Sequence, residues 1–140
     1  MTDYGFKDKV VLIAGGAKNL GGLLSREVGR EGAKVVVHYN SDASRADAQD
    51  TVKAVQDLGG EAYMTQGDLT RPANVEALFQ EAKDKFGGID IAINTVGKVL
   101  RKPIMDTSED EYDSMFDINA KSAYFFIKEA GKHLNDNGKI

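Results

Sequence analysis

The 140-residue chain has no cysteine, two prolines and two histidines. Without cysteine there can be no disulfide, no thiolate nucleophile and no zinc–thiolate site. His38 and His133 are too few and too far apart in sequence to argue for a metal, so none is expected. Positive charge is not in excess. There are 18 Lys and Arg against 22 Asp and Glu, a formal net charge of -4, with the two signs mixed along the chain. That balance lacks the basic footprint of a nucleic-acid or anionic-membrane partner, so a bound anion must be met by a local site. Long apolar runs are missing too. Nothing approaches the roughly 18 to 20 apolar residues of a membrane span, and the opening MTDYGFKDK lacks the apolar core of a signal peptide. The expectation is a cytoplasmic protein.

What is present is a core and a repeat. With 41% hydrophobic residues, residues 1–140 suffice for one compact domain. Four times a helical stretch ends in glycine before an apolar strand: REGAKVVV from Arg30, DLGGEAYM from Asp57, KFGGIDIAI from Lys85 and DNGKI from Asp136. Glycine just past a last helical turn supplies the left-handed residue that closes it. Val75, Leu78, Phe79, Ala82 and Phe86 keep the spacing of one buried helical face, with Thr70 as N-cap and Pro72 in the first turn. The strands 10–14, 34–38, 62–66 and 89–94 are short and mostly apolar, as in a parallel sheet covered on both faces. The fold class is therefore α/β: a doubly wound, Rossmann-like parallel sheet with helices on both faces, in which the chain stops as a fifth strand begins at 137–140. In such sheets ligands bind at the carboxyl ends of the strands, where the strand order reverses.

At that edge, directly after the strand VVLIA, stands the loop AGGAKNLGG, residues 14–22. Free N–H groups and the positive end of a helix dipole attract phosphate, and glycines let the backbone come close enough to use them. A glycine cluster there is also simply a tight strand-to-helix turn. The spacing is not G-x-G-x-x-G.

Together with GDLT at Gly67, INTVG at Ile93 and the Asn of DINAKSAYFF, this loop resembles the short-chain dehydrogenase/reductase family in order and spacing, over the whole chain. The family's T-G-x-x-x-G-x-G places Ala14 at its threonine, Gly15 at the first glycine, Asn19 at the second and Gly21 at the third. Two positions depart from that pattern. Asn19 tolerates positive φ and can keep the turn. Ala14 loses a hydroxyl that braces the loop. The resemblance implies a nicotinamide dinucleotide held by Gly15, Lys18, Asn19, Leu20 and Gly21. A carboxylate about 20 residues past such a loop binds the ribose hydroxyl of NAD, whereas cations and small donors accept the phosphate of NADP. Lys18, Asn40 and Ser41 favour NADP over NAD; Asp42 stands close by, and Lys18 is also readable as a solvated surface charge. By the same resemblance Asp68 and Leu69 contact the adenine, although Asp68 is equally a turn residue ahead of Thr70. Asn94, Thr95, Val96 and Gly97 take the place of the family's N-N-A-G beside the ribose.

Met115, Phe116, Asn119, Ala123, Phe126, Ile127, Ala130 and Leu134 fall on one helical stripe, in which Asn119 is the strongly polar member. A buried carboxamide must be hydrogen-bonded. The resemblance makes Asn119 the catalytic residue of this chain, holding a water in a proton relay, while a local backbone kink would also account for it. The family's catalytic Ser and Y-x-x-x-K belong to a later helix. Tyr124 and Lys128 have the spacing but sit on the Asn119 helix, and read as an ordinary i, i+4 pair. The chain thus resembles the cofactor-binding half of a reductase of small carbonyl or alcohol substrates, expected to form a homodimer or homotetramer when complete. Two other readings stay open: a dinucleotide-binding module without chemistry, and a methyltransferase-type domain.

Overall fold

The computed structural model describes residues 2–140. Ten elements alternate along the chain: β1 (Val10–Ala14), α1 (Asn19–Arg30), β2 (Lys34–Tyr39), α2 (Arg45–Asp57), β3 (Glu61–Gln66), α3 (Pro72–Phe86), β4 (Ile89–Asn94), α4 (Glu109–Phe116), α5 (Ser122–His133) and β5 (Leu134–Lys139). All five strands run parallel in one sheet of order β3-β2-β1-β4-β5. The order reverses between β1 and β4, which is where the loops diverge and leave a crevice.

Alternation along the strands separates two cores. Leu12, Ala14 and Val36 point to the face packed by Val75, Leu78 and Phe79 of α3 and by Phe126 and Ala130 of α5. Val11, Ile13, Val35 and Val37 point to the opposite face, with Val28 of α1 and Val55 of α2. Both faces are dry, so the strands are apolar on both sides. Among the described residues no helix is long and apolar enough to cross a membrane.

Three of the four glycine stops behave as expected, with Gly32, Gly59 and Gly87 at φ of 89°, 83° and 81°. The fourth does not. Leu134 leaves α5 in an extended conformation, β5 begins there and not at residue 137, and the positive φ falls on Asn137 (64°) instead of Gly138. β5 pairs with β4 only at Ile89–Leu134 and Ile91–Lys139, with the register broken between them, because the extra residues bulge out.

Three other expectations are corrected. β2 continues through Tyr39 and β3 starts at Glu61. Arg71, not Thr70, is the residue before α3: Thr70 donates its hydroxyl (2.7 Å) and its N–H (3.0 Å) to Asp68 Oδ1. A short polar side chain satisfied within its own turn is no longer free to cap a helix. The segment after Tyr112 is not one helix. A π-helical turn over Asp117–Lys121 separates α4 from α5, and it shifts the stripe so that Phe116 (53%) and Ile127 (60%) lie exposed.

Candidate cofactor-binding site

The loops after β1, β2, β3 and β4 converge on a cavity of about 450 Å³ at the reversal point of the sheet. From the first loop it is lined by Gly15, Ala17, Lys18, Asn19, Leu20 and Gly21. Asn40 and Ser44 come from the second connection, Leu69 from the third, and Asn94, Thr95, Val96 and Gly97 from the fourth.

The first loop is shaped by close approach. Gly15 has φ 73°, and a Cβ there would lie 2.7 Å from Thr95 Oγ1. A Cβ on Gly21 would overlap the Gly15 carbonyl oxygen. Asn19 carries the left-handed turn itself, at φ 53°. No side chain caps α1 and no acidic residue stands in its first turn. Its first intrahelical bond is Gly22 N–H to Lys18 O at 2.9 Å, so the preceding amides are left to an outside acceptor. That is the donor set an anion needs at the positive end of a helix.

Four polar side chains hold this loop: Ser25, Thr51 and His38, which are buried and given no role in the sequence reading, and the half-buried Thr95. Ser25 Oγ reaches the carbonyls of Gly16 and Gly21, both at 2.9 Å. Thr51 Oγ1 of α2 donates to Ala17 O at 2.7 Å. Thr95 Oγ1 donates to Ala14 O at 2.8 Å and lies 3.2 Å from Gly15 O. The brace that Ala14 cannot supply therefore comes from the opposite strand, and the departures at 14 and 95 face one another. His38, on β2, takes the Gly15 N–H on Nδ1 at 3.0 Å and places Nε2 2.7 Å from Gly67 O. Burial, partly offset by the Gly67 carbonyl, pushes its pKa below the usual 6.5 and keeps the ring neutral.

Two expected cofactor residues do not line this cavity. Asp68 faces a neighbouring one of about 460 Å³ shared with Asn40, Thr70, Lys98 and the acidic start of α4. The Thr70 hydroxyl holds its carboxyl below the usual carboxylate range. Ser41 stands at the head of a single 3-10 turn, Asp42–Ser44, and Ser44 is the serine brought to the cavity. Asp42 is 3.8 Å from Arg45 and also lies off the cavity. Lys18 lies 3.9 Å from Asp47, a neighbour its sequence context did not reveal. Ala17 and Ile118, which stand within the quoted motifs but were given no role, and Lys98, outside them, also line the cavity.

Asn119 is exposed and not buried, because it sits in the π turn on the solvent side of the helix pair. Its carboxamide is nevertheless fully engaged. Oδ1 accepts from Lys98 N–H at 2.9 Å, and Nδ2 donates to Lys98 O at 2.8 Å and Met115 O at 3.0 Å. It ties the segment after β4 to the kinked helix. Tyr124 is 67% exposed and, with Lys128, lies off the cavity. Among the described residues no group of three or more His, Cys, Asp or Glu side chains is placed to share a metal.

A family model described as enoyl-(acyl carrier protein) reductase matches residues 15–140. Short chain dehydrogenase mdpC of Emericella nidulans is 33% identical over 98% of this chain and 51% of its own length. Hydroxynaphthalene reductase-like protein Arp2 of Metarhizium brunneum is 34% identical over 99% of this chain and 51% of its own. A putative dehydrogenase from Burkholderia cenocepacia, solved with bound NADP, is 60% identical with a TM-score of 0.95, covering 100% of this chain and 53% of that one. An NADH-dependent reductase A1-R', solved with NAD, is 28% identical with a TM-score of 0.84, covering 91% and 53%. The chain belongs to the short-chain dehydrogenase/reductase family, a family of oxidoreductases. It spans about half the length of the curated relatives it matches, 51% of the first two.

Proposed function

We propose that this chain is the cofactor-binding half of an NADP-dependent oxidoreductase acting on a small carbonyl or alcohol substrate. The observation that carries the reading is the uncapped start of α1, with Gly15 and Gly21 packed so closely that the backbone itself forms the floor of the cavity. The dinucleotide, when bound, supplies the hydride chemistry. The residues present bind and orient. Amides of Asn19, Leu20 and Gly21 meet the pyrophosphate. Lys18, Asn40 and Ser44 line the end of the cavity beyond β2, no lining residue there is acidic, and Asp47 is drawn to Lys18 from outside the lining; this supports NADP. Leu69 and Val96 supply apolar walls. Asn119 acts through the Lys98 backbone it grips, as a positioning residue at the edge of the cavity. The exposed aromatic and aliphatic side chains of α4 and α5, Tyr112, Phe116, Tyr124 and Ile127, support a homo-oligomer in the complete protein.

Parallel titration with NADPH and NADH tests the cofactor choice. Lys18 is half exposed and shares its charge with Asp47, so its hydrogen bond to a phosphate is discounted to the lower end of its range. Lys18→Ala is expected to weaken NADPH roughly tenfold and leave NADH nearly unchanged. Equal loss of both would remove Lys18 from the phosphate.

A dinucleotide-binding module without chemistry is the second reading. It draws on one observation: the chain's Tyr-x-x-x-Lys, at 124 and 128, stands away from the cavity. Turnover of a carbonyl substrate by the full protein with NADPH separates the two.

A further inference from the structure

We propose that His38 is the positioning residue of the cofactor loop, and that it works through one atom, the Nδ1 that accepts the Gly15 N–H. This rests on the dinucleotide reading above. His38 is 2% exposed, next to last in a strand whose other members Val35, Val36 and Val37 are 0% exposed. An aliphatic side chain would fill that place at no polar cost, so an imidazole there requires a polar task.

The task is visible at both nitrogens. Gly15 N–H can only donate, so Nδ1 is bare; Gly67 O can only accept, so Nε2 carries the proton. One neutral tautomer satisfies both. The backbone reinforces it, since the Gly16 N–H donates to the His38 carbonyl at 2.9 Å and the Gly67 N–H to Tyr39 O at 3.0 Å. One side chain therefore fastens the loops after β1 and β3 to the end of β2, and all three stretches border the same cavity.

Gly15 is the pivot. Its φ of 73° is one of two turns in the loop, and its carbonyl faces Gly21 and the Thr95 hydroxyl. Holding its N–H fixes that peptide plane, and with it the approach of the chain to the first turn of α1. Without an acceptor at this point the part-buried N–H loses its partner, and the loop is free to turn to satisfy it. The amides of residues 19–21 would then leave their common aim.

Amide isosteres separate the two nitrogens. Asn at position 38 puts an oxygen where Nδ1 stands, whereas Gln puts its polar atoms near Nε2. In the full protein, His38→Asn is expected to bind NADPH within about threefold of wild type, and His38→Gln roughly 5- to 100-fold more weakly. Equal affinities for the two variants, or wild-type affinity in His38→Leu, overturn the proposal. Nitrogen NMR of the unsubstituted protein provides a check that needs no variant to fold. A ring protonated at Nε2, with slow exchange of the Gly15 amide, supports the assignment, and a ring protonated at Nδ1 overturns it. A protein that shows the Nε2 tautomer and binds neither dinucleotide sinks the functional reading and leaves the His38 strut standing.

Discussion

The two sides of the sheet are held by different means. On the β1-β2-β3 side, β2 and β3 stay in register from Lys34–Glu61 to Tyr39–Gln66, and buried side chains of Ser25, His38 and Thr51 bond the loops to one another. On the β4-β5 side the register breaks, and the links are exposed: the Asn119 carboxamide on the Lys98 backbone and the Lys102–Glu111 ion pair at 2.8 Å. A buried hydrogen bond is costly to leave unmade, whereas an exposed one is replaced by water. The first side should therefore behave as a rigid platform for a ligand, and the second as an edge that a further layer of protein can cover.

The largest break in that contrast is expected from Gly21→Ala. Its Cβ would overlap the Gly15 carbonyl oxygen, which is backbone and cannot swing aside. The platform must open, at a cost of about 3 kcal/mol, the upper end for overpacking. Thermal unfolding should register the loss, and fluorescence titration should show no NADPH binding. A normal melting temperature with normal affinity would mean that the loop is not closed as described.

A pair of serines sharpens it at smaller amplitude. Ser25 and Ser122 are both buried and both reach a carbonyl four residues back, but Ser25 also reaches the loop carbonyl of Gly16 at 2.9 Å, while Ser122 bonds only Ile118 O in the π turn, at 2.6 Å. Ser25→Ala is expected to cost about 1 to 2 kcal/mol, since it removes the hydroxyl that the buried Gly16 carbonyl accepts from. Ser122→Ala should cost about 0.5 kcal/mol or less, because a back-bond within a helix adds little. Denaturant unfolding of both compares them, and only Ser25→Ala should weaken the cofactor. Equal costs would erase the distinction between the two sides.

The platform was legible in the sequence and its fastenings were not. Glycine stops and apolar runs revealed the strands because they are local signals: Gly32, Gly59 and Gly87 take the φ that only such residues adopt cheaply. Gly15, Asn19 and Gly21 were legible for the same reason. Ser25, Thr51 and His38 bond to residues nine, 34 and 29 positions away, and no periodicity marks a contact at that separation. The β4-β5 side misled for a related reason. The stripe from Met115 to Leu134 assumed an unbroken 3.6-residue period, and the π turn at Asp117–Lys121 inserts an offset that moves Asn119 outward. Leu134 was read as helical although β5 begins there, and the turn at Asn137 was assigned to its neighbour Gly138, the residue type that usually adopts it.

The smallest effect expected is one of acidity, and it falls on one side only. His38 is held neutral in the fold, with its pKa lowered from 6.5 chiefly by burial, and its nitrogens meet backbone groups and no ion pair among the described residues. Its unfolded form takes up a proton more readily than its folded form. Stability from this group is therefore complete above about 6.5 and declines as pH falls from there toward the lowered folded value. Protonation also removes the acceptor that Gly15 uses. Hydrogen exchange as a function of pH reads both consequences once the intrinsic rates are corrected for acidity. Below pH 6.5 the Gly15 amide should lose protection, while Lys98 N–H, bonded to an uncharged carboxamide, should keep its own. Parallel loss at both amides would show global unfolding and remove His38 as its cause, whereas loss at Gly15 alone would locate the acid sensitivity of the platform in a single ring nitrogen.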